Sequence, residues 1–276
     1  MQTISTSVRS IASRAAKALL GVAIVGLLIA QAAPAGATSL QARTNGYPVS
    51  SNGASSMHLA WTPVTHPLNE VSAVIEVVVA PSVQQLYFWA LQVDFVDRAG
   101  RSVGQAHLGL QWAPRHPGDT AVNFGGYSGG AYPAELTGDT SALPSATGDE
   151  NTRDYAWQTG HKYKLRIFGT GDGWWSGEVT DLDSSDVVLV RRLHAGGTGL
   201  ATPVVWSEVF AKCDDPSSAV RWSSFSPKPA GLLVTYQSFN SGGCTNTTTQ
   251  AGSRGILQRT NTPRTIRDYE LLRSGW

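Results

Sequence analysis

The sequence predicts an all-β protein, a two-sheet antiparallel β-sandwich of the jelly-roll or concanavalin-like kind, preceded by a signal peptide. After residue 56 the chain consists of short runs in which apolar residues alternate with polar ones or cluster, and a period of two is typical of strands. Gly, Pro, Asn and Asp bound these runs. Beyond the first segment, no window has the 3.6-residue apolar period of an amphipathic helix. Many short strands with frequent turns favour a sandwich or a jelly roll, and no internal repeat indicates a propeller.

The N-terminal segment has the pattern of an export signal. Three basic residues, the last of them Lys17, precede 13 consecutive apolar residues, Ala18 to Ala30. A helix of that length spans about 20 Å, short of the ~30 Å hydrocarbon core, and Ala35-Gly36-Ala37 supplies a small-x-small cleavage pattern. We therefore predict a signal peptide at 1–37 and a secreted, extracellular protein. The absence of a twin arginine favours the general secretory route; an uncleaved anchor is the alternative.

The rest of the chain predicts one domain. Without residues 1–37 it has 239 residues, with 18 basic and 20 acidic side chains. A chain of this size buries roughly 70% of its unfolded surface, enough for one substantial core. We predict a flexible leader at 38–56, rich in Ser, Asn and Gly, and a single sandwich domain at 57–276. The balanced charge indicates no basic surface for binding nucleic acid. We expect no membrane span after signal cleavage. The sequence leaves the oligomeric state open.

Eleven strands are predicted between residues 57 and 238. Asp97-Arg98-Ala99-Gly100 and Asp181 to Ser185 have the composition of hairpin turns. The predicted strands are Met57–Trp61, Val71–Val79, Leu86–Val96, Val103–Trp112, Ala121–Phe124, Lys162–Phe168, Trp174–Thr180, Val187–Leu193, Val204–Phe210, Val220–Phe225 and Leu232–Ser238.

Cys213 and Cys244 are the two cysteines of the chain, and both follow the predicted signal peptide. An even count in an oxidising compartment predicts one disulfide. Closing a loop of about 30 residues contributes ~3–4 kcal/mol on the chain-entropy model. A catalytic thiol is the alternative interpretation, but no Cys-His signature accompanies either residue.

Residues 128–153 form a long predicted loop with no strand pattern, rich in Gly, Pro, Ser, Thr and Asp. Loops of this length inside a compact domain are uncommon and are usually functional or disordered. The loop carries Tyr132 and several carboxylates, Glu135, Asp139, Asp149 and Glu150. Two interpretations stay open, a lid over a binding face and a mobile surface excursion.

Gly126-Tyr127-Ser128-Gly129-Gly130 matches the G-x-S-x-G pattern of a serine-hydrolase elbow. The elbow needs a helix after the serine, whereas this sequence continues into the long loop. A Gly-rich turn is therefore the favoured interpretation.

The sequence predicts no cofactor. The histidines, at positions 58, 66, 107, 116, 161 and 194, do not have the spacing of metal ligands. Asp181, Asp183 and Asp186 could offer oxygens to calcium, but they lack the glycine and distal Glu of an EF-hand loop. A solvated hairpin tip is favoured, and a structural calcium ion bound by distant loops is left open.

Glu208 lies between two aromatic residues in the predicted strand. Because strand side chains alternate, Trp206, Glu208 and Phe210 share one face. Aromatic rings stack on the C–H faces of sugars, and a carboxylate accepts hydrogen bonds from hydroxyls. Glycoside hydrolysis would need a second carboxyl ~5 Å or ~6.5–9.5 Å away, and no Glu-x-Asp-x-Glu run supplies one. The alternative interpretation is a buried Glu paired with an Arg.

Several other strands have one apolar face and one polar face on which Gln92, Gln111, Asn123 and Arg221 occur. Amide and guanidinium groups make the planar hydrogen bonds that polyhydroxy ligands use. Plain solvent exposure is the alternative explanation, although it would favour Lys and Glu. The sequence does not define which strands are neighbours.

Six motifs occur in the following order along the chain: Leu86-Tyr87-Phe88-Trp89, His107-Leu108-Gly109-Leu110-Gln111-Trp112, Ala121-Val122-Asn123-Phe124-Gly125-Gly126-Tyr127, Asn151-Thr152-Arg153-Asp154-Tyr155-Ala156-Trp157, Trp206-Ser207-Glu208-Val209-Phe210 and Ala219-Val220-Arg221-Trp222-Ser223. Their order resembles that of a family of exported actinobacterial proteins of unknown function. It resembles more distantly an uncharacterised bacterial and fungal domain with a lectin-like or glucanase-like sandwich. The resemblance spans most of Trp61 to Arg264 and implies secretion and a sandwich, but no activity or catalytic residue.

The leading functional hypothesis is a secreted, non-catalytic carbohydrate-binding or cell-surface module. Its partner would be an extracellular glycan or cell-wall polymer. A second hypothesis is a glycoside hydrolase or polysaccharide lyase that uses Glu208 as acid or base, and a third is a structural exported protein. The candidate ligand contacts are Gln92, Gln111, Asn123, Tyr127, Tyr132, Trp206, Glu208 and Arg221.

Overall fold

The computed structural model describes residues 54–63, 67–228 and 234–274. The predicted signal peptide, most of the predicted leader and His66 lie outside the described residues. Apart from a three-residue 3-10 turn, the regular elements are strands, which confirms the all-β prediction. None of the described residues forms a helix long and apolar enough to cross a membrane. The strands are β1 (Ser55–Ala60), β2 (Glu70–Val79), β3 (Tyr87–Val96), β4 (Ser102–Trp112), β5 (Thr120–Ser128), β6 (Thr152–Asp154), β7 (Lys162–Gly171), β8 (Trp174–Asp181), β9 (Val187–His194), β10 (Gly199–Val209), β11 (Ala219–Ser226), β12 (Val234–Ser241), β13 (Thr248–Gly252), β14 (Gly255–Arg259) and β15 (Glu270–Ser274).

The strands form two antiparallel sheets that pack face to face. One sheet has eight strands in the order β15-β12-β1-β10-β3-β4-β5-β6. The other has seven in the order β13-β14-β11-β2-β7-β8-β9. Strands far apart in sequence are neighbours, since β10 pairs with both β1 and β3. The predicted two-sheet antiparallel sandwich is therefore confirmed.

The core follows from the alternation of side chains along each strand. In β3, Tyr87, Trp89 and Leu91 are buried on the face that meets the seven-stranded sheet. Tyr163 and Trp222 project into the same core from the other sheet. Because successive side chains point to opposite faces, the residues between the core residues of β3 lie on the outer face of the eight-stranded sheet.

A buried amide joins the two sheets. The Oε1 of Gln258 in β14 accepts hydrogen bonds from the Ser207 hydroxyl at 2.6 Å and from the Trp222 indole N–H at 3.0 Å. Its Nε2 donates to the carbonyl oxygen of Met57 at 3.1 Å. Ser207 and Met57 belong to the eight-stranded sheet, so the amide forms a polar bridge through the core.

The Cys213–Cys244 disulfide is present, with Cα atoms 5.3 Å apart. It joins the segment after β10 to the segment after β12, and the described residues include no free cysteine. The side-chain amide of Asn246 donates to the carbonyl of Cys213 at 2.8 Å. The alternative of a catalytic thiol is therefore wrong.

Both predicted hairpin turns form. Between β3 and β4, Asp97 Oδ1 accepts the backbone N–H groups of Ala99 and Arg101. Gly100 closes that turn with a φ of 76°, in the region that favours glycine. Between β8 and β9, the carbonyl of Asp181 accepts the N–H of Ser185 at 2.8 Å.

The long loop between β5 and β6 closes one edge of the sandwich. Near its start, the N–H of Leu136 donates to the carbonyl of Gly126 in β5 at 2.9 Å. Farther on, the N–H of Asp139 donates to the carbonyl oxygen of Arg192 in β9 at 3.0 Å. The segment predicted as a lid or a mobile excursion is thus hydrogen-bonded to strands of both sheets, and its last residues form β6 beside β5.

Candidate functional site

The outer face of the eight-stranded sheet carries amide and aromatic side chains in rows that run across the strands, and we call it the amide face. Strand register defines three such rows. The first is Ser56, Glu208, Phe88, Gln111, Ala121 and Asp154; the second is His58, Trp206, Ala90, Gly109, Asn123 and Thr152; the third is Ala60, Val204, Gln92, His107 and Gly125.

Five of the eight predicted contact residues come together in these three rows. They originate from β3, β4, β5 and β10, and β10 lies beside β3 in the sheet although six strands separate the two along the chain. The five are Gln92, Gln111, Asn123, Trp206 and Glu208.

Three aromatic rings form the centre of the amide face. Phe88 packs edge-on against Trp206, with ring centroids 4.8 Å apart. His107 lies edge-on to Phe88 at 5.4 Å and to Trp206 at 5.9 Å. Such edge-to-face pairs each contribute about 0.5–1.5 kcal/mol beyond burial. The cluster therefore holds its rings in fixed orientations among the surrounding amides.

The amides around this cluster are oriented by hydrogen bonds. The indole N–H of Trp206 donates to Gln92 Oε1 at 3.0 Å, and Gln92 Nε2 donates to Gln105 Oε1 at 3.3 Å. Asn123 Nδ2 donates to the Thr152 hydroxyl at 2.9 Å. A network of this kind fixes the direction of each donor and acceptor before any ligand arrives.

Burial sets the protonation of the groups on this face. It lowers the pKa of both His58 and His107 to about 4, although a hydrogen bond with Asn123 partly opposes the shift at His107. Burial also raises the pKa of Tyr127 to about 12, and nearby carboxylates, including Glu208, add to that effect. At neutral pH the two imidazoles and the phenol are therefore uncharged.

The side chains of the amide face are shielded from bulk water. Trp206 is 3% exposed and Glu208 8% exposed. Gln92, Gln111 and Asn123 are likewise buried. A hydrogen bond in such surroundings is stronger than at an open surface.

The outer face of the seven-stranded sheet has a different chemistry. Arg166 lies 2.6 Å from Glu70 and 3.3 Å from Glu178, and its guanidinium stacks on Phe168. Arg221 pairs with Glu76 on the same face. Charged pairs of this type are expected where a sheet meets water. The three rows of the amide face, as described, contain no Lys or Arg. Exposure to water therefore explains the side chains on the outer face of the seven-stranded sheet but not those of the amide face.

The other three predicted contact residues lie outside these three rows. Arg221 is in β11 of the seven-stranded sheet, so it is not brought to the amide face. Tyr132 is 95% exposed in the long loop. Tyr127 is in β5 beside Gln105, one row beyond the three defined above. Whether any of these eight side chains touches a ligand stays a prediction.

Glu208 has no carboxylate beside it in its row. Its neighbours across the strands are Ser56 and Phe88. The carboxylate in that row is Asp154, four strands away, a distance of about 19 Å at ~4.8 Å per strand. That separation is about twice the largest spacing of an inverting glycosidase.

Two other candidate sites are hydrogen-bonded turns. The Ser128 hydroxyl accepts the N–H of Ala134 at 3.0 Å, and the long loop follows Ser128 without a helix. This fits a Gly-rich turn and not a serine-hydrolase elbow, which needs a helix after the serine.

His161, Asp181 and Asp183 offer ligand atoms within 4.8 Å of one another. Asp181 Oδ1 and Asp183 Oδ2 each accept a backbone N–H in this hairpin. The sequence prediction missed His161, because this residue precedes β7 and lies 20 residues before Asp181 in the chain.

The fold and its two faces define the class of the protein as a two-sheet β-sandwich. No family model and no curated protein matches the chain. Solved structures with a similar fold include SCP-B, a member of the eqolisin family of peptidases, in complex with the tripeptide Ala-Ile-His. The two sequences are 12% identical, the TM-score is 0.43, and the match covers 78% of this chain and 100% of that one.

A carbohydrate-binding module and a lectin are also similar in fold. The module is the CBM2 module of the evolved Dit of Lactobacillus casei BL23 phage J-1, at 17% identity and a TM-score of 0.38, covering 67% of this chain and 78% of that one. The lectin is UEA-II in complex with galactose, at 9% identity and a TM-score of 0.29, covering 82% and 85% of the two chains. At these values the similarity is one of fold alone.

Proposed function

We propose that this protein is a secreted glycan-binding module and that the amide face is its binding surface. The observation that carries the proposal is the contrast between its two outer faces. One is covered with Arg–Glu pairs, whereas the other combines a rigid aromatic cluster with oriented amides and neutral imidazoles. Aromatic rings offer stacking surfaces to sugar rings, and amides offer paired donors and acceptors to vicinal hydroxyls.

An extracellular or cell-wall polysaccharide is the partner that fits a protein exported by its predicted signal peptide. The binding mode would be non-catalytic: in the described row that contains Glu208 the other carboxylate is that of Asp154, about twice as far away as the spacing in an inverting glycosidase. Gln92, Gln111 and Asn123 would contact hydroxyl groups, and Trp206 would supply an aromatic surface.

The proposal is tested by glycan-array and polysaccharide pull-down measurements on the exported protein. Gln111→Ala is the informative variant, because losing one amide contact should weaken binding by about tenfold. Arg166→Ala on the opposite sheet is the matched control and should bind like wild type. Absence of binding to every glycan, cell-wall preparation and biomass polymer would contradict the proposal.

Hydrolysis or elimination at Glu208 is a second candidate function. It is favoured by the position of this buried carboxyl beside the aromatic ring of Phe88. The same polysaccharide panel assayed for new reducing ends or unsaturated products tests it, with Glu208→Gln as the comparison. Products that form with wild type and disappear with the variant would establish this function; no product from any polymer would exclude it for that panel.

A further inference from the structure

A fourth row of side chains crosses the amide face beyond the three already defined. Strand register places Asp94 of β3 beside Gln105 of β4, and Gln105 beside Tyr127 of β5. Glu135 of the long loop forms an isolated antiparallel bridge with Tyr127, which adds its side chain to the end of the row. At ~4.8 Å per strand, Asp94 and Glu135 lie about 14 Å apart along the sheet. The row therefore has an amide and an aromatic ring between two carboxylates.

The fourth row is more open to water than the buried amides of the other rows. Asp94, Gln105 and Tyr127 are half-buried, and Glu135 is exposed. Two of these side chains are also held in place by hydrogen bonds. The Thr202 hydroxyl donates to Asp94, and Gln105 Oε1 accepts an amide N–H from the third row at 3.3 Å. The groups of the fourth row are therefore both oriented and accessible to a ligand.

The two carboxylates of the fourth row have no ion-pair partner within the described residues. None of the ion pairs there includes Asp94 or Glu135. The other three rows, as described, contain no Lys or Arg. Their histidines, His58 and His107, are uncharged at neutral pH because burial lowers the pKa of each to about 4. No cationic side chain of these rows therefore balances the two carboxylates.

Further carboxylates make the surroundings of the fourth row negative. Those of Glu135, Asp149 and Glu208 all raise the pKa of the Tyr127 phenol, although burial is the larger cause. Arg101, in the turn that follows β3, is already paired with an aspartate of that turn at 2.7 Å. A surface with this distribution of charge attracts cations and repels anions.

From the composition of this row we propose that the glycan bound at the amide face carries protonated amines, as polymers of amino sugars do. The inference rests on the proposed glycan-binding function and adds the charge of the ligand to it. Tyr127 would offer a ring for stacking, and Gln105 would hydrogen-bond to hydroxyl groups. Asp94 and Glu135 would each accept hydrogen bonds from an ammonium group. A uronate polymer would bring its carboxylates against those of the row, and such like-charge contacts disfavour binding.

The test compares three oligosaccharides of equal length by isothermal titration at about pH 6, where carboxylates are ionised. They are a chitosan oligosaccharide, the same oligosaccharide after N-acetylation, and an oligogalacturonate. N-acetylation removes the charge of the amine and keeps the sugar backbone, so the acetylated form is the matched control. We expect the amine form to bind about tenfold more tightly than the acetylated form, and the oligogalacturonate to bind more weakly than either. Raising NaCl from about 0.05 M to about 0.5 M should reduce the tenfold difference.

Asp94→Asn and Glu135→Gln are the informative variants, and the quantity compared is the ratio of the affinities for the amine and acetylated forms. The asparagine keeps an oxygen that accepts from the Thr202 hydroxyl, and the exposed Glu135 keeps the experiment decisive if Asp94→Asn folds poorly. Each variant should lower the ratio about threefold, as expected for a partly exposed ion pair. Asp172→Asn is the matched control, because it removes the same charge from the exposed β7–β8 turn of the other sheet, and it should keep the wild-type ratio. A wild-type ratio in both variants would overturn the assignment of the row.

The results distinguish failure of this inference from failure of the glycan-binding proposal. Equal affinity for the amine and acetylated forms, or tighter binding of the oligogalacturonate, would overturn the amine assignment alone. Binding of other glycans but none of the three would do the same. An oligolysine that binds as tightly as the chitosan oligosaccharide would also overturn it, because charge alone would then explain the affinity. Absence of binding to every glycan would overturn both proposals.

Discussion

The side-chain amide of Gln258 forms the polar bridge between the two sheets. Replacing it with Met keeps the volume of the side chain but removes three buried hydrogen bonds. The Ser207 hydroxyl, the Trp222 N–H and the Met57 carbonyl would then lack this partner in the core. We expect a loss of about 3 kcal/mol in the free energy of unfolding, measured by urea denaturation.

Gln250→Met is the matched control for that substitution. Gln250 is exposed on the neighbouring strand β13, so its replacement should change stability by less than about 0.5 kcal/mol. Equal stability of Gln258→Met and Gln250→Met would show that the buried bridge contributes nothing.

The two histidines of the amide face make stability depend on pH. Burial lowers the pKa of His107 to about 4 in the folded state, against ~6.5 in an unfolded chain. Between these values the unfolded state binds the proton and the folded state does not. Stability is therefore complete above pH ~6.5 and decreases as the pH falls towards 4. His58 acts in the same direction, whereas His161 opposes it because Asp181 raises its pKa.

The variant His107→Gln isolates one histidine in this pH dependence. Its loss of stability between pH 7 and pH 4.5 should be smaller than that of wild type by about 2 kcal/mol. Denaturation curves at the two pH values measure the difference. His194→Gln, at an exposed position, should behave like wild type, and an unchanged pH dependence in His107→Gln would contradict the burial argument.

The sequence predicts individual side-chain directions well and their partners poorly. Alternation alone is enough to place Gln92 and Trp206 opposite the core side chains of their strands. It does not predict that the Trp206 indole donates to Gln92, because that bond joins residues 114 positions apart. The bridge through Gln258 escapes sequence analysis for the same reason, since it depends on how the two sheets pack.

The disulfide stabilises the end of the sandwich where the segments after β10 and β12 meet. The two cysteines are 31 residues apart, so their bond should contribute about 3–4 kcal/mol by restricting the unfolded chain. The double variant Cys213→Ala, Cys244→Ala should lose that amount in urea denaturation. Dithiothreitol should destabilise wild type but not the variant; an identical unfolding midpoint for all samples would contradict this role.

Strand prediction succeeds where alternation is regular and fails where it is interrupted. The regular alternation of β3 and β4 made both strands evident in the sequence. The start of β10 was missed because a register shift between Ala201 and Val204 breaks the period. β6 has three residues within a loop, and the short strands after Cys244 lack a clear apolar rhythm. Such strands form because a neighbouring strand offers backbone hydrogen bonds, which the local sequence does not encode.

The arrangement of strands over the whole molecule gives the two outer faces their different chemistry. Arg221 and Gln111 have similar patterns along their own strands, yet they lie in different sheets. Sheet membership follows from long-range pairing, so a single sequence does not separate the two polar faces. In the structure the Arg–Glu pairs lie on the outer face of the seven-stranded sheet, and Gln92, Gln111 and Asn123 lie on the outer face of the eight-stranded sheet.

The most direct test of glycan binding at the amide face is to map a bound ligand by NMR. The protein, labelled with 15N, is titrated with the best ligand from the array and polysaccharide screen. We predict shifts of the Trp206 indole and of the Gln92 and Gln111 side-chain amides, with Arg166 and Glu178 on the opposite face unchanged. Saturable shifts confined to the Arg166 face, or to the exposed loop around Tyr132, would contradict the assignment of the amide face as the binding surface.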